Sequence, residues 1–379
     1  MRTMRISVAT FTGTLGIAAA LFVSLAHAQS EDLGFDQALG GPAFIAIVDH
    51  AVVKIDATGN RKVLFAMPTK DLITVDGSVN GQLREHDYGE LRVDAASGRW
   101  VLPRQSDRAL PGTLIFGDRN GVVAEVPGDP ACVSNKRGSC IIAAKMFASS
   151  GKYVFIESLR NRGTTLARYT FGQSDRVEIA GPEIATTLTL DEAHQRALYV
   201  SRKGIHVTSW QPSSARIAAA PVRIAVNAED QPPTVVGDDI VYVAKRETPD
   251  RRLLETTIER ATLPTGKRTV VKRATNLTLP FALQGFRSST QGVYFADHAA
   301  KDGKAYEGCK RKCVTYLLEG SASRVVAEAV DLLVDVSSDG RFGIFQDSQG
   351  GKLYMVELSV EQGTRRAIEG ATAAYFVRE

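Results

Sequence analysis

The chain has 379 residues, of which 44% are apolar and 23% charged, with 46 Lys plus Arg against 42 Asp plus Glu. This balance excludes a disordered tail and supplies enough material for a large buried core. The formal charge of +4 and two tryptophans, Trp100 and Trp210, give no continuous basic and aromatic track, so nucleic acid is excluded as a partner.

Arg2 and Arg5 precede an uncharged apolar run from Ile6 to Leu25, and Ala26-His27-Ala28 places small residues where signal peptidase reads, ahead of Gln29. Residues 1–28 are therefore predicted to be a signal peptide and 29–379 a single domain, periplasmic or secreted. Removing the leader leaves 44 basic and 42 acidic side chains and no second run long enough to span a membrane.

Beyond residue 40 the chain reads as short β-prone runs separated by Gly, Asp, Asn and Ser, with no capped amphipathic helix. Phe44 to Val48, Val52 to Ile55 and Lys62 to Phe65 are three predicted strands without a partner before them. Strands that follow a tight turn then begin near Arg99, Lys152, Arg196, Ile240, Val293 and Arg341, at intervals of 53, 44, 44, 53 and 48 residues. A period of this size, about four strands per unit, is the signature of a β-propeller.

The cysteines fall as Cys132 with Cys140 and Cys309 with Cys313. Neither spacing suits zinc or a redox pair. Three disulfide pairings are formally open, and two local clips are the simplest.

The clearest unit runs from Asp331 to Thr364: strand Leu332 to Val336, turn Ser337-Ser338-Asp339-Gly340, strand Arg341 to Phe345, turn Asp347 to Gly351, strand Leu353 to Leu358 and a last short basic strand. Asp-Gly supplies the positive φ that a tight hairpin demands. After it Ala373 to Val377 is a lone β-prone segment. Placed as the inner strand of the first blade, it completes four strands and leaves no open edge. The expected fold is an all-β, seven-bladed β-propeller closed by the C-terminal strand, with six- or eight-bladed rings as alternatives.

The last unit, with Ser337-Ser338-Asp339-Gly340-Arg341 and then Lys352-Leu353-Tyr354, resembles the WD40-like repeat of the TolB-like periplasmic propellers. About one blade matches well and the others by periodicity. The resemblance implies an extracytoplasmic interaction scaffold; similar propellers also serve as lactonases, as sugar- or peptide-processing domains and as quinone-dependent dehydrogenases. No Gly-x-Ser-x-Gly elbow occurs.

In the general propeller pattern, loops between second and third strands gather on one face. They would carry Arg104 and Arg108, Arg160 and Arg162, Lys245, Arg246, Arg251 and Arg252, then Lys301, Lys304, Lys310, Arg311 and Lys312. Such a face suits an acidic envelope or extracellular protein or an anionic glycan. The Cys309-Cys313 and Cys132-Cys140 clips would hold two of its loops in shape. Asp49-His50 and Asp297-His298 end second strands in the first and sixth blades. They are enough in kind for calcium, a transition metal or an acid/base pair, and equally ordinary as strand-ending residues that satisfy loop amides. No cofactor is required by any motif. The function expected is a binding scaffold, with an enzyme of the lactonase or glycan-processing type, metal-dependent or not, as the alternative.

Overall fold

The computed structural model describes residues 41–67, 88–105, 112–132, 141–148, 150–160, 163–179, 188–192, 194–201, 204–211, 213–214, 216, 222–225, 233–247, 254–263, 265–274, 286–298, 313–320, 322–329, 332–347, 351–358 and 365–378. The predicted signal peptide lies outside them. No helix among the described residues is long and apolar enough to cross a membrane.

The described strands form seven antiparallel four-stranded sheets. Blade 2 holds β4 (Arg92–Asp94), β5 (Arg99–Arg104), β6 (Thr113–Asp118) and β7 (Gly121–Pro127). Blade 3 holds β8 (Ile141–Phe147), β9 (Tyr153–Arg160), β10 (Gly163–Thr170) and β11 (Val177–Glu178). In blade 4 these are β12 (Thr189–Asp191), β13 (Arg196–Ser201), β14 (Gly204–Ser209) and β15 (Val222–Ala225), and in blade 5 β16 (Thr234–Val236), β17 (Asp239–Glu247), β18 (Leu254–Thr262) and β19 (Arg268–Ala274). Blade 6 runs through β20 (Arg287–Ser288), β21 (Val293–His298), β22 (Cys313–Glu319) and β23 (Ala322–Ala329), and blade 7 through β24 (Leu332–Val336), β25 (Phe342–Gln346), β26 (Leu353–Glu357) and β27 (Arg366–Ala367). The predicted second strands fall within one residue of β5, β9, β13, β17, β21 and β25.

Blade 1 is made from both ends of the described chain. Its order is β28 (Ala371–Phe376), β1 (Phe44–Val48), β2 (Ala51–Ile55), β3 (Arg61–Ala66). Phe44 pairs with Phe376 and Ala46 with Ala374, and Val377 N donates to Ala43 O at 2.9 Å. The ring thus has seven blades and closes through the C-terminal strand. Closure satisfies an edge of β1 that would otherwise present unpaired amides and carbonyls.

The core is distributed. Seven buried apolar clusters lie among the described residues, one between each pair of neighbouring blades. Strand alternation explains this, because side chains at i and i+2 share a face. In β1, Phe44, Ala46 and Val48 face blade 7, while Ile45 on the other face packs with Trp100 and Leu102 of blade 2. In β17, Ile240, Tyr242 and Ala244 join blade 4, and Val241 and Val243 join blade 6.

Polar clasps reinforce these layers beside the turns that follow the inner strands. Arg99 Nη1 donates to Gly151 O at 2.7 Å, Arg196 Nη2 to Gly237 O at 3.5 Å, and Tyr294 Oη to Gly340 O at 3.1 Å. Each joins a second strand to the next blade's turn. Gly340 has φ +73°, and a Cβ there would overlap the Tyr294 hydroxyl.

The cysteine expectation needs correction. No disulfide joins two described residues. Cys132 is 0% exposed and is not a free thiol, whereas Cys140 and Cys309 lie outside the described residues. Cys132 is disulfide-bonded, and the Cys132-Cys140 and Cys309-Cys313 pairings with their expected loop-shaping role each involve a residue outside the described ones.

Candidate functional site

The seven innermost strands surround a cavity of about 740 Å³, within the range of small-molecule sites. Every blade contributes to its wall: Arg92 from β4, Lys145 from β8, Leu190 from β12, Val235 from β16, Arg287 from β20, Val334 from β24 and Tyr375 from β28. Inner strands lie next to one another around the axis, β24 beside β28 and β28 beside β4, so side chains at their axial edges converge.

A chain of hydrogen bonds joins blades 1, 2 and 3. The Tyr375 hydroxyl donates to Glu90 Oε1 at 3.1 Å, Arg92 Nη2 donates to Glu90 Oε2 at 2.9 Å, and Arg92 Nε donates to Ala144 O at 3.1 Å. Burial pushes the Tyr375 phenol up to about 12, although Arg92 and Arg287 pull it the other way. The hydroxyl therefore keeps its proton and serves as a donor at neutral pH. Lys145 is held by the buried Glu157, at 2.6 Å from Oε2.

Arg287 differs from the other lining cations. Its Nε donates to Val334 O at 2.5 Å and its Nη1 to Phe286 O at 3.2 Å. Among the described residues no carboxylate stands within ion-pair distance of it, although the buried Asp335 lies near enough to feel its charge. Behind it, Asp335 accepts the Phe376 N–H at 2.8 Å. Burial raises the Asp335 carboxyl to about 6, with Arg287 and the backbone donors opposing.

The residues singled out from sequence stand elsewhere. Asp49 and His50 form the two-residue turn between β1 and β2, with φ of 47° and 62°, the geometry of a tight hairpin. Asp297 and His298 end β21, with blade 7 between them and Asp49-His50. Among the described residues no group of three or more His, Cys, Asp or Glu side chains is placed to hold a metal. Arg104, Arg160, Lys245 and Arg246 sit at the ends of second strands β5, β9 and β17, and Arg104 contacts Thr113 at 3.1 Å and Glu125 at 3.6 Å. Arg108, Arg162, Arg251, Arg252, Lys301, Lys304, Lys310, Arg311 and Lys312 lie outside the described residues.

No family model and no curated protein matches the chain. Solved propellers do. A putative 6-phosphogluconolactonase from Bacteroides fragilis has a TM-score of 0.49 and 9% identity, covering 89% of this chain and 98% of its own. The periplasmic gluconolactonase of Pseudomonas aeruginosa has a TM-score of 0.45 and 11% identity, covering 89% and 99%. The dihydro-heme d1 dehydrogenase NirN has a TM-score of 0.48 and 11% identity, covering 91% and 76%. At this identity the likeness is one of fold, and nothing ties the chain to the TolB-like or WD40-like families in particular.

One expectation is overturned at this point. The sequence ranks a non-catalytic scaffold above an enzyme, whereas the similar propellers are mostly enzymes by name. The channel itself adds a phenol held by a carboxylate.

Proposed function

We propose that the protein is a propeller enzyme of the lactonase or glycan-processing type, exported to the periplasm or medium, with the axial channel as its site. The observation that carries this reading is the Tyr375–Glu90–Arg92 hydrogen-bond chain set into a roomy channel wall with Arg287 facing the same space. A carboxylate, a neutral phenol and a guanidinium around one cavity supply a base, a donor and an anion anchor.

For a lactone, Glu90 accepts a proton from water as the water oxygen attacks the ring carbonyl. Arg287 donates to the oxyanion, while the Tyr375 hydroxyl, donating to Glu90, holds the base in place. The carbonyl–oxygen bond of the ring then breaks, the leaving oxygen takes the proton back from Glu90, and the hydroxy acid so formed gives its acidic proton to solvent and leaves as a carboxylate opposite Arg287. The loop-face reading, binding of an envelope protein or anionic glycan through the second-to-third loops, is the second function and does not compete for the channel.

Acid release from a panel of γ- and δ-lactones tests the proposal. The wild-type chain is expected to hydrolyse at least one, Glu90→Gln to lose about 100-fold or more in kcat, and Arg287→Ala mainly to raise KM. A wild-type rate equal to buffer on the whole panel, or an undiminished Glu90→Gln rate, would overturn it.

A further inference from the structure

The channel wall is divided. In a ring of seven, the blades that face blade 1 across the axis are blades 4 and 5. Tyr375 stands in blade 1, Glu90 and Arg92 in blade 2, Lys145 in blade 3 and Arg287 in blade 6, whereas the described lining of blades 4 and 5 is Leu188, Thr189, Leu190, Pro233, Thr234 and Val235. That arc holds no charged side chain among the described residues. One of its two hydroxyls, on Thr189, is already committed to Pro233 O at 2.7 Å.

A polyhydroxylated ring laid across this channel would turn several hydroxyls toward Leu188, Leu190 and Val235, where they would lose water and find almost no partner. Each such loss is costly. An aliphatic or aromatic arm in the same place would gain from leaving water. Beside that arc, in blade 6, Arg287 has backbone carbonyls as its hydrogen-bond partners and no carboxylate within ion-pair distance among the described residues.

From this we infer that the channel takes an amphiphilic acid, or the lactone or ester that yields it, with its polar head between Arg287 and Tyr375 and its apolar arm over blades 4 and 5. The inference rests on the channel being the ligand site proposed above. It narrows the substrate class from sugar lactones to lactones with an apolar arm.

Calorimetric titration of the full chain with decanoate, gluconate and 1-decanol tests it independently of turnover. Decanoate is expected to bind at one site at least ten-fold more tightly than either gluconate, which keeps the carboxylate, or decanol, which keeps the arm. Arg287→Ala should cost decanoate about ten-fold while leaving decanol unchanged. Val235→Thr, which exchanges a methyl for a hydroxyl at nearly the same volume, should weaken decanoate several-fold, and Leu190→Asn should do so more strongly. Gluconate binding as tightly as decanoate, equal binding of decanol, or decanoate affinity indifferent to these substitutions would overturn the inference. Decanoate bound in the channel without hydrolysis of any lactone would sink the enzymatic reading and leave this one standing. Hydrolysis of gluconolactone without decanoate binding would do the reverse.

Discussion

Asp335 is a carboxyl placed where its charge is poorly solvated. Its folded pKa of about 6 lies above the ordinary value of 3.8, so the folded state holds the proton more tightly than the unfolded state does. Its contribution is most favourable below pH 4 and is lost as pH rises towards 6, by up to about 3 kcal/mol. In Asp335→Asn that slope should vanish, and the difference between variant and wild-type urea midpoints should grow from pH 4 to 6 and then stay constant. A parallel pair of pH profiles would show that the carboxyl is not strained by its site. Gly340 makes a different kind of demand. Its φ of +73° and its contact with the Tyr294 hydroxyl leave no room for a methyl group, so Gly340→Ala should cost about 2 to 4 kcal/mol, read as a lowered melting temperature. The glycine was legible in the sequence, through Asp339-Gly340. The channel groups were not, although a signal for them exists. Arg92 and Lys145 stand six residues before the turn glycines Gly98 and Gly151, and Arg287 and Asp335 stand five before Gly292 and Gly340. Attention to loops passed over them, because one charged residue inside a short strand looks like ordinary edge polarity until the ring brings seven such strands to one axis.

At the scale of elements, β28 matters most. Ala374 is 0% exposed and lies in the cluster shared by blades 7 and 1, opposite Ala46. A carboxylate there would have no partner and would also hold β28 away from β24. Ala374→Asp is expected to cost about 4 kcal/mol or more and to leave β1 with an open edge, visible as loss of the cooperative thermal transition and as aggregation. A variant that melted like the wild type would show that closure contributes little. This strand was legible because a lone β-prone segment after a completed unit has one sensible destination, and the spacing of the second strands was legible because hairpin turns demand Gly, Asp and Ser. The shortest strands were harder to place. β11, β20 and β27 are two residues long, too short for alternation to register, and two of them lie at blade edges where side chains are free to be polar.

For the molecule as a whole, periodicity settled the architecture while the choice between scaffold and enzyme depended on what the axis contains. Arg104, Arg160, Lys245 and Arg246 stand at the C-terminal ends of their second strands. Among the described residues the basic side chains at the axis are Arg92, Lys145 and Arg287, and while Glu90 and the Phe286 carbonyl are near in sequence, Glu157 and the Val334 carbonyl come from distances that no local pattern connects. The placing of the apolar clusters between blades has a further consequence. No blade owns a core, since each buries its two faces only against its neighbours. A break in the chain between two blades would therefore cut the covalent thread without removing what holds the pieces together, and the nicked ring should keep its shape until both layers beside one blade give way at once.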